Sequence, residues 1–281
     1  MQQSLPKFTR RSFLASTLPA FTALKISAAN KRIPVGLELY SVRGELGKDL
    51  PGTLDAVAKM GYECVEFDAP YFDWTPEYAK QVRKQMDDLK ISCYSTHNGM
   101  QSFGDGLSHA INLNQILGTK YIVLASAGKA ASIDDWKRVA QTLDKANDKM
   151  KSFGLHAGYH NHAVEWKPIG GEMPMQVLAD NTDKSIMLQL DVGTCVEMGQ
   201  DPVAWIENHP GRIKSLHLKD WSPDKGYRVL FGQGVVPWKK VFEAAESKGG
   251  VEYYLIEQEG SEFPETETAD RCLIAFRDIH G

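Results

Sequence analysis

Eight short apolar runs, separated by amphipathic stretches, constrain this chain more than any other feature. The runs are Pro34–Tyr40, Cys64–Phe67, Ile91–Ser95, Tyr121–Ala125, His156–His160, Ile186–Asp191, Ile213–Leu218 and Tyr253–Glu257. Between them, apolar residues recur at helical spacing: Leu54, Val57 and Met60; Tyr78, Val82, Met86 and Leu89; Trp136, Val139, Leu143, Ala146 and Met150; Trp238, Val241, Phe242 and Ala245; Ala269, Leu273 and Phe276. A short apolar run between amphipathic helices is the signature of a strand buried on both faces, as in a parallel sheet. Gly61, Gly118, Gly154 and Gly249 stand where helix C-caps belong. Eightfold alternation over residues 30–281 predicts an α/β chain folded as one (β/α)8 TIM barrel. The rival is an open doubly wound sheet, but no GxGxxG follows the first run. Gly232-Gln233-Gly234 comes late and lacks the third glycine of a nucleotide fingerprint.

Residues 1–29 differ from the rest. They contain Lys7, Arg10, Arg11 and Lys25 and no acid, whereas the whole chain of 281 residues carries 32 Lys+Arg against 36 Asp+Glu. Residues 30–281 alone therefore carry 28 basic and 36 acidic residues, a formal charge of −8. That balance argues against a nucleic-acid partner, and 24% charged with 42% hydrophobic residues excludes a multi-span membrane protein. Arg10-Arg11-Ser12-Phe13-Leu14, a weakly apolar stretch from Ala15 to Ile26 and then Ser27-Ala28-Ala29 form a tripartite signal peptide. Paired arginines before Phe-Leu resemble the twin-arginine (Tat) export signal. The expectation is a signal peptide over 1–29, a barrel over 30–281, and a bacterial envelope or periplasmic location, with no membrane span. Cys64, Cys93, Cys195 and Cys272 form no CxxC pair and read as buried apolar residues.

In a (β/α)8 barrel, functional side chains project from the C-terminal ends of the strands. Four consecutive runs end in Tyr159-His160-Asn161-His162, Leu190-Asp191-Val192-Gly193-Thr194, Leu216-His217-Leu218-Lys219-Asp220 and Ile256-Glu257-Gln258-Glu259. Imidazoles and carboxylates crowded at one rim repel or desolvate one another unless a cation neutralises them. His160, Asp191, His217 and Glu257 are thus candidate metal ligands. Their nitrogen and oxygen donors suit Mn²⁺, Zn²⁺, Co²⁺ or Fe²⁺ better than Ca²⁺.

These strings, with Gly36-Leu37-Glu38-Leu39-Tyr40-Ser41 and Gly61-Tyr62-Glu63-Cys64-Val65-Glu66, resemble the sugar phosphate isomerase/epimerase superfamily, the xylose isomerase-like barrels. The resemblance runs from about Val35 to Phe276. It implies one divalent metal, commonly Mn²⁺, and a small-molecule carbohydrate substrate, and it leaves a homo-oligomer open. Asp191, His217 and Glu257 match the ligands of strands six, seven and eight. The strand-five ligand of the epimerases is a glutamate that also carries a proton; His160 stands in its place, which puts a two-glutamate mechanism in doubt. Glu165, five residues later, is a candidate substitute.

Further candidates line the same rim. Glu38 can hold a sugar hydroxyl or form a salt bridge. His97 can face substrate or cap its strand, and His162 can line the pocket or orient a ligand. Lys219 can polarise a substrate oxygen or pair with Asp220, and Glu259 shares parity with Glu257. Trp221, Phe231 and Trp238 can stack on a sugar ring, Trp238 alternatively belonging to a helix stripe. The expected chemistry is Lewis-acid activation of a carbonyl, with Glu257 or Glu165 taking the α-proton. The leading expectation is a metal-dependent isomerase or epimerase acting on a sugar or keto-sugar. One alternative is a lyase that cleaves 3-keto-glycosides by β-elimination. The other is a non-catalytic sugar-binding barrel.

Overall fold

β1 (Val35–Glu38), β2 (Cys64–Phe67), β3 (Ser92–Asn98), β4 (Tyr121–Leu124), β5 (His156–His160), β6 (Met187–Asp191), β7 (Ser215–Leu218) and β8 (Tyr253–Ile256) pair in parallel and in chain order, and β8 returns to β1 to close the barrel. The computed structural model describes residues 1–2, 32–68 and 70–281, so the expected signal peptide lies outside the described residues except for its first two. Ile33–Gly281 form one compact unit. Among the described residues, no helix is long and apolar enough to cross a membrane.

Each expected apolar stripe forms a helix against the barrel. The longest, Ile133–Lys151, buries Trp136, Val139, Leu143, Ala146 and Met150. It starts at a capping box, in which Ser132 Oγ accepts from Asp135 N at 3.2 Å and Ser132 N donates to Asp135 Oδ2 at 2.9 Å. Helices Leu107–Leu117, Pro174–Asp180 and Pro202–Asn208 complete the outer layer, the first burying Leu107, Ala110, Ile111 and Leu117. Gly61 and Gly118 cap their helices in the left-handed region. At the fourth position the cap falls on Gly250 rather than Gly249, because the helix continues through a π turn over Ala245–Gly249.

Alternation along each strand divides the barrel interior into a floor and a polar ceiling. The floor packs Cys64, Tyr121, Val123, Met187, Tyr253 and Leu255, with Tyr94 against them. Gly36 admits this packing: a Cβ there would meet the Cys64 carbonyl oxygen and Sγ at 2.5 Å. A register shift sets the ceiling of β3. Cys64 pairs with Ser92 but Glu66 pairs with Ser95, so one residue of β3 is bulged. The bulge gives Tyr94 to the floor and Ser95 and His97 to the ceiling, while Thr96 turns outward to bond Asn114. Without it, His97 would face the helices.

Candidate functional site

The ceiling gathers Glu38, Glu66, His97, His160, Gln189, Asp191, His217, Lys219 and Glu257, all buried. Each sits at an inward position near the C-terminal end of its strand. His160, Asp191 and Glu257 bring donor atoms within 4.8 Å of one another. His217 joins them through Nδ1, 2.7 Å from Glu257 Oε2. The rings of His97, His160 and His217 lie 4.4–5.0 Å apart, centroid to centroid.

Asp191 is held by the chain around it. Its Oδ1 accepts from Thr194 N at 2.8 Å, capping the helix Val192–Glu197, and its backbone N–H donates to Asn161 Oδ1 at 3.0 Å. Gly193 lets that helix start against β7, because a Cβ there would lie 2.4 Å from the Lys219 carbonyl oxygen. Asp191 Oδ2 is buried and is partnered by the Lys219 ammonium at 2.7 Å. Two carboxylates and two imidazoles with converging donor atoms are the set a borderline divalent cation takes, so these residues fit the expected metal.

Charge inside the ceiling is balanced locally. Burial disfavours the Lys219 ammonium, but Asp191, Glu257 and Glu259 outweigh it and hold its pKa well above the usual value. Burial raises the Glu257 carboxyl, yet Lys219 and His217 bring it well below the ordinary range. His217 loses to burial and gains more from Glu257 and Glu66, which push it up to about 9. His160 is driven well below its usual value by burial and by neighbouring His217 and His97, so its ring is neutral and can offer a lone pair. Glu38 is raised by burial and by the adjacent Glu66 carboxylate, with which its side chain shares a hydrogen bond.

Lys219 is paired differently from the expected rim pair. Its partners are Asp191, Glu257 at 3.6 Å and Glu259 at 2.6 Å, and it lies 4.7 Å from the Tyr227 ring centroid. Asp220 instead organises the loop after β7. It accepts from the N–H groups of Trp221, Gly232, Gly234 and Val236 and from Trp238 Nε1 at 2.9–3.4 Å. This also accounts for Gly232-Gln233-Gly234: a Cβ at Gly234 would lie 2.1 Å from Asp220 Oδ1.

Glu165 stands apart from the ceiling, contrary to its expected role as a base. Tyr159 faces the helices, with its ring against Trp136, and its hydroxyl donates to Glu165 Oε1 at 2.6 Å. Glu165 Oε2 accepts from His162 N at 2.7 Å. Burial raises this carboxyl despite both bonds. His162 is exposed at the rim, 4.8 Å from the His160 ring. Trp221 is half-buried, whereas Phe231 and Trp238 are core residues packed 4.5 Å apart. The four cysteines are free and buried.

Two ceiling residues escaped the sequence reading. Glu66 bonds His97, His217, Ser95 and Gln189. Gln189 also bonds His97 at 2.8 Å and His160 at 3.1 Å. Both share strand parity with ceiling or floor residues, Glu66 with Cys64 and Gln189 with Asp191, and that parity was the available signal.

Residues 54–274 match the family model described as the xylose isomerase-like TIM barrel. An inosose dehydratase of Lacticaseibacillus casei is 23% identical over 256 residues, covering 76% of this chain and 84% of the relative. A sugar phosphate isomerase/epimerase from Parabacteroides distasonis superimposes with a TM-score of 0.77 at 27% identity, covering 90% of this chain and 98% of the other. The IOLI protein with a binding zinc atom superimposes with a TM-score of 0.69 at 15% identity, covering 88% of this chain and 98% of the other. A closed barrel with an acid- and imidazole-lined rim and a family match across most of its length place this chain among the enzymes of the xylose isomerase-like TIM barrel family.

Proposed function

We propose that this enzyme is a divalent-metal-dependent lyase, removing the proton α to a carbonyl of a keto-sugar and expelling an oxygen from the β carbon. The observation that carries this reading is the placement of Glu165. An epimerase of the two-carboxylate type needs a carboxylate on each face of the substrate carbon. β5 supplies His160 in place of one, and Glu165 bonds Tyr159 on the helix side of the strand. A dehydratase is among the relatives, which supports elimination.

His160, Asp191, His217 and Glu257 would hold the cation, Mn²⁺ or Zn²⁺ being suited to these donors; zinc in the IOLI protein supports the assignment. When bound, the cation supplies Lewis-acid polarisation of the substrate carbonyl. Glu257, kept ionised by Lys219 and His217, takes the α-proton. The C–H electron pair becomes the new C=C bond, and the β C–O bond breaks. Lys219 remains an ammonium beside the developing negative charge. His162, exposed at the rim next to His160, gives a proton to the departing oxygen.

The likeness to the Parabacteroides isomerase/epimerase favours a second reading, in which the α-carbon is reprotonated instead. Incubation in D₂O with a 3-keto-glycoside and with free ketohexoses separates the two. Aglycone release with formation of an enone is expected. Deuterium exchange and isomer formation without release would replace the lyase reading by the isomerase one.

Export belongs to this proposal. The Arg10-Arg11 segment supports an envelope enzyme and makes a glycoside-derived keto-sugar a better substrate than a cytoplasmic sugar phosphate. Arg10→Lys with Arg11→Lys should leave the protein in the cytoplasmic fraction; unchanged export would overturn the assignment.

A further inference from the structure

We infer that Glu66 is a positioning residue that fixes the orientation and tautomer of His217 for the cation, and holds His97 beside it. The inference rests on the reading of His217 as a metal ligand.

Glu66 is the penultimate residue of β2, on the opposite wall of the ceiling from His160 and Asp191, and is fully buried. Its Oε1 accepts from His217 Nε2 at 2.8 Å and lies 3.0 Å from His97 Nε2, which bonds Gln189 Oε1. Its Oε2 accepts from Gln189 Nε2 at 3.0 Å and from Ser95 Oγ. An ionised carboxylate offers about four acceptor positions; donors on β3, β6 and β7 take three of them, and His97 lies against the carboxylate as well. A carboxylate so occupied is a poorer metal ligand than Asp191, whose Oδ2 is met by Lys219 Nζ.

His217 stands between two carboxylates of different kinds. Nδ1 faces Glu257, whose donor atoms lie with those of His160 and Asp191; Nε2 faces Glu66, whose donor atoms lie with those of Glu38, His97 and His217. Both carboxylates only accept, so both ring nitrogens donate here; were Nδ1 to give up its hydrogen to a cation, Nε2 would keep its own in the bond to Glu66. Carboxylate–histidine–metal arrangements of this kind orient the ring and raise its basicity as a ligand. The bulge in β3 is part of the device, because it brings Ser95 and His97 onto the Glu66 carboxylate.

The test compares the wild-type chain with Glu66→Gln and Ser95→Ala. Zn²⁺ and Mn²⁺ are titrated by calorimetry, Co²⁺ is followed by its visible absorption, and thermal melting is checked in parallel. Glu66→Gln should keep one ion per chain but bind it about 10–100-fold more weakly, with a shifted Co²⁺ band. Ser95→Ala, which loosens one donor, should move both readouts the same way by less. Should Glu66→Gln fail to fold, Ser95→Ala alone decides. Unchanged affinity and an unchanged Co²⁺ band would overturn the inference while leaving the metal reading standing. Two ions in the wild type and one in Glu66→Gln would overturn it by making Glu66 a ligand. No ion bound by the wild type would sink the metal reading itself.

Discussion

Lys219 Nζ lies 2.7 Å from Asp191 Oδ2, the oxygen of that carboxylate not engaged by Thr194 N. The buried ammonium is thus the internal counter-charge of the proposed ligand set. Lys219→Met removes it and leaves Asp191 and Glu257 facing each other uncompensated. Removing one partner of a buried ion pair costs about 3–5 kcal/mol, so the metal-free variant should melt well below the metal-free wild type. Saturating Mn²⁺ should narrow that gap, because an ion that binds only the folded chain restores stability by mass action. Equal melting of the two metal-free proteins would refute this role.

Treatment with a chelator should abolish turnover, and Mn²⁺ or Zn²⁺ should restore it. Ligand atoms must be deprotonated to bind, so affinity should fall as the solution is acidified. Asp191→Asn keeps the oxygen that caps Thr194 but loses the charge; elemental analysis should find it depleted of metal while its circular dichroism is unchanged.

Glu165→Gln tests the corrected placement of that residue. Disturbing its bonds to Tyr159 and to the His162 amide should cost about 1–3 kcal/mol and leave kcat within a few-fold. A hundredfold loss of kcat in a stable Glu165→Gln protein would return Glu165 to the chemistry.

His209 supplies a pH prediction remote from the metal. Its Nδ1 bonds the Trp205 carbonyl at 2.8 Å and its ring lies 3.9 Å from the Trp205 ring. Burial lowers its pKa below the ordinary 6.5, so the fold favours the neutral ring. Its contribution to stability is present above the unfolded pKa and is lost as pH falls below it toward the folded value. Urea unfolding between pH 7.5 and 5 should therefore show a smaller acid-side loss for His209→Gln than for the wild type.

The barrel itself was legible because parallel strands covered on both faces leave nearly unbroken apolar runs. His160, Asp191, His217 and Glu257 were legible because charge at the end of such a run has no other reason to be there. Glu66 was not: Glu63-Cys64-Val65-Glu66 mixes charge with apolar residues, and its importance comes from strands β3, β6 and β7, which are remote in sequence. The fate of Glu165 turned on the outward direction of Tyr159, a property of the strand before it. His97 was placed at a strand end, whereas β3 runs through to Asn98; the bulge that aims it inward leaves no local signature in Ser92-Cys93-Tyr94-Ser95.

The packed floor of Tyr94, Tyr121, Tyr253 and their neighbours makes the reaction chamber a cul-de-sac. On the proposed elimination, substrate would reach Glu257 from the C-terminal rim, and both fragments would leave by the same end. The second fragment cannot depart through the far end while fresh substrate enters, so product and substrate compete for one passage.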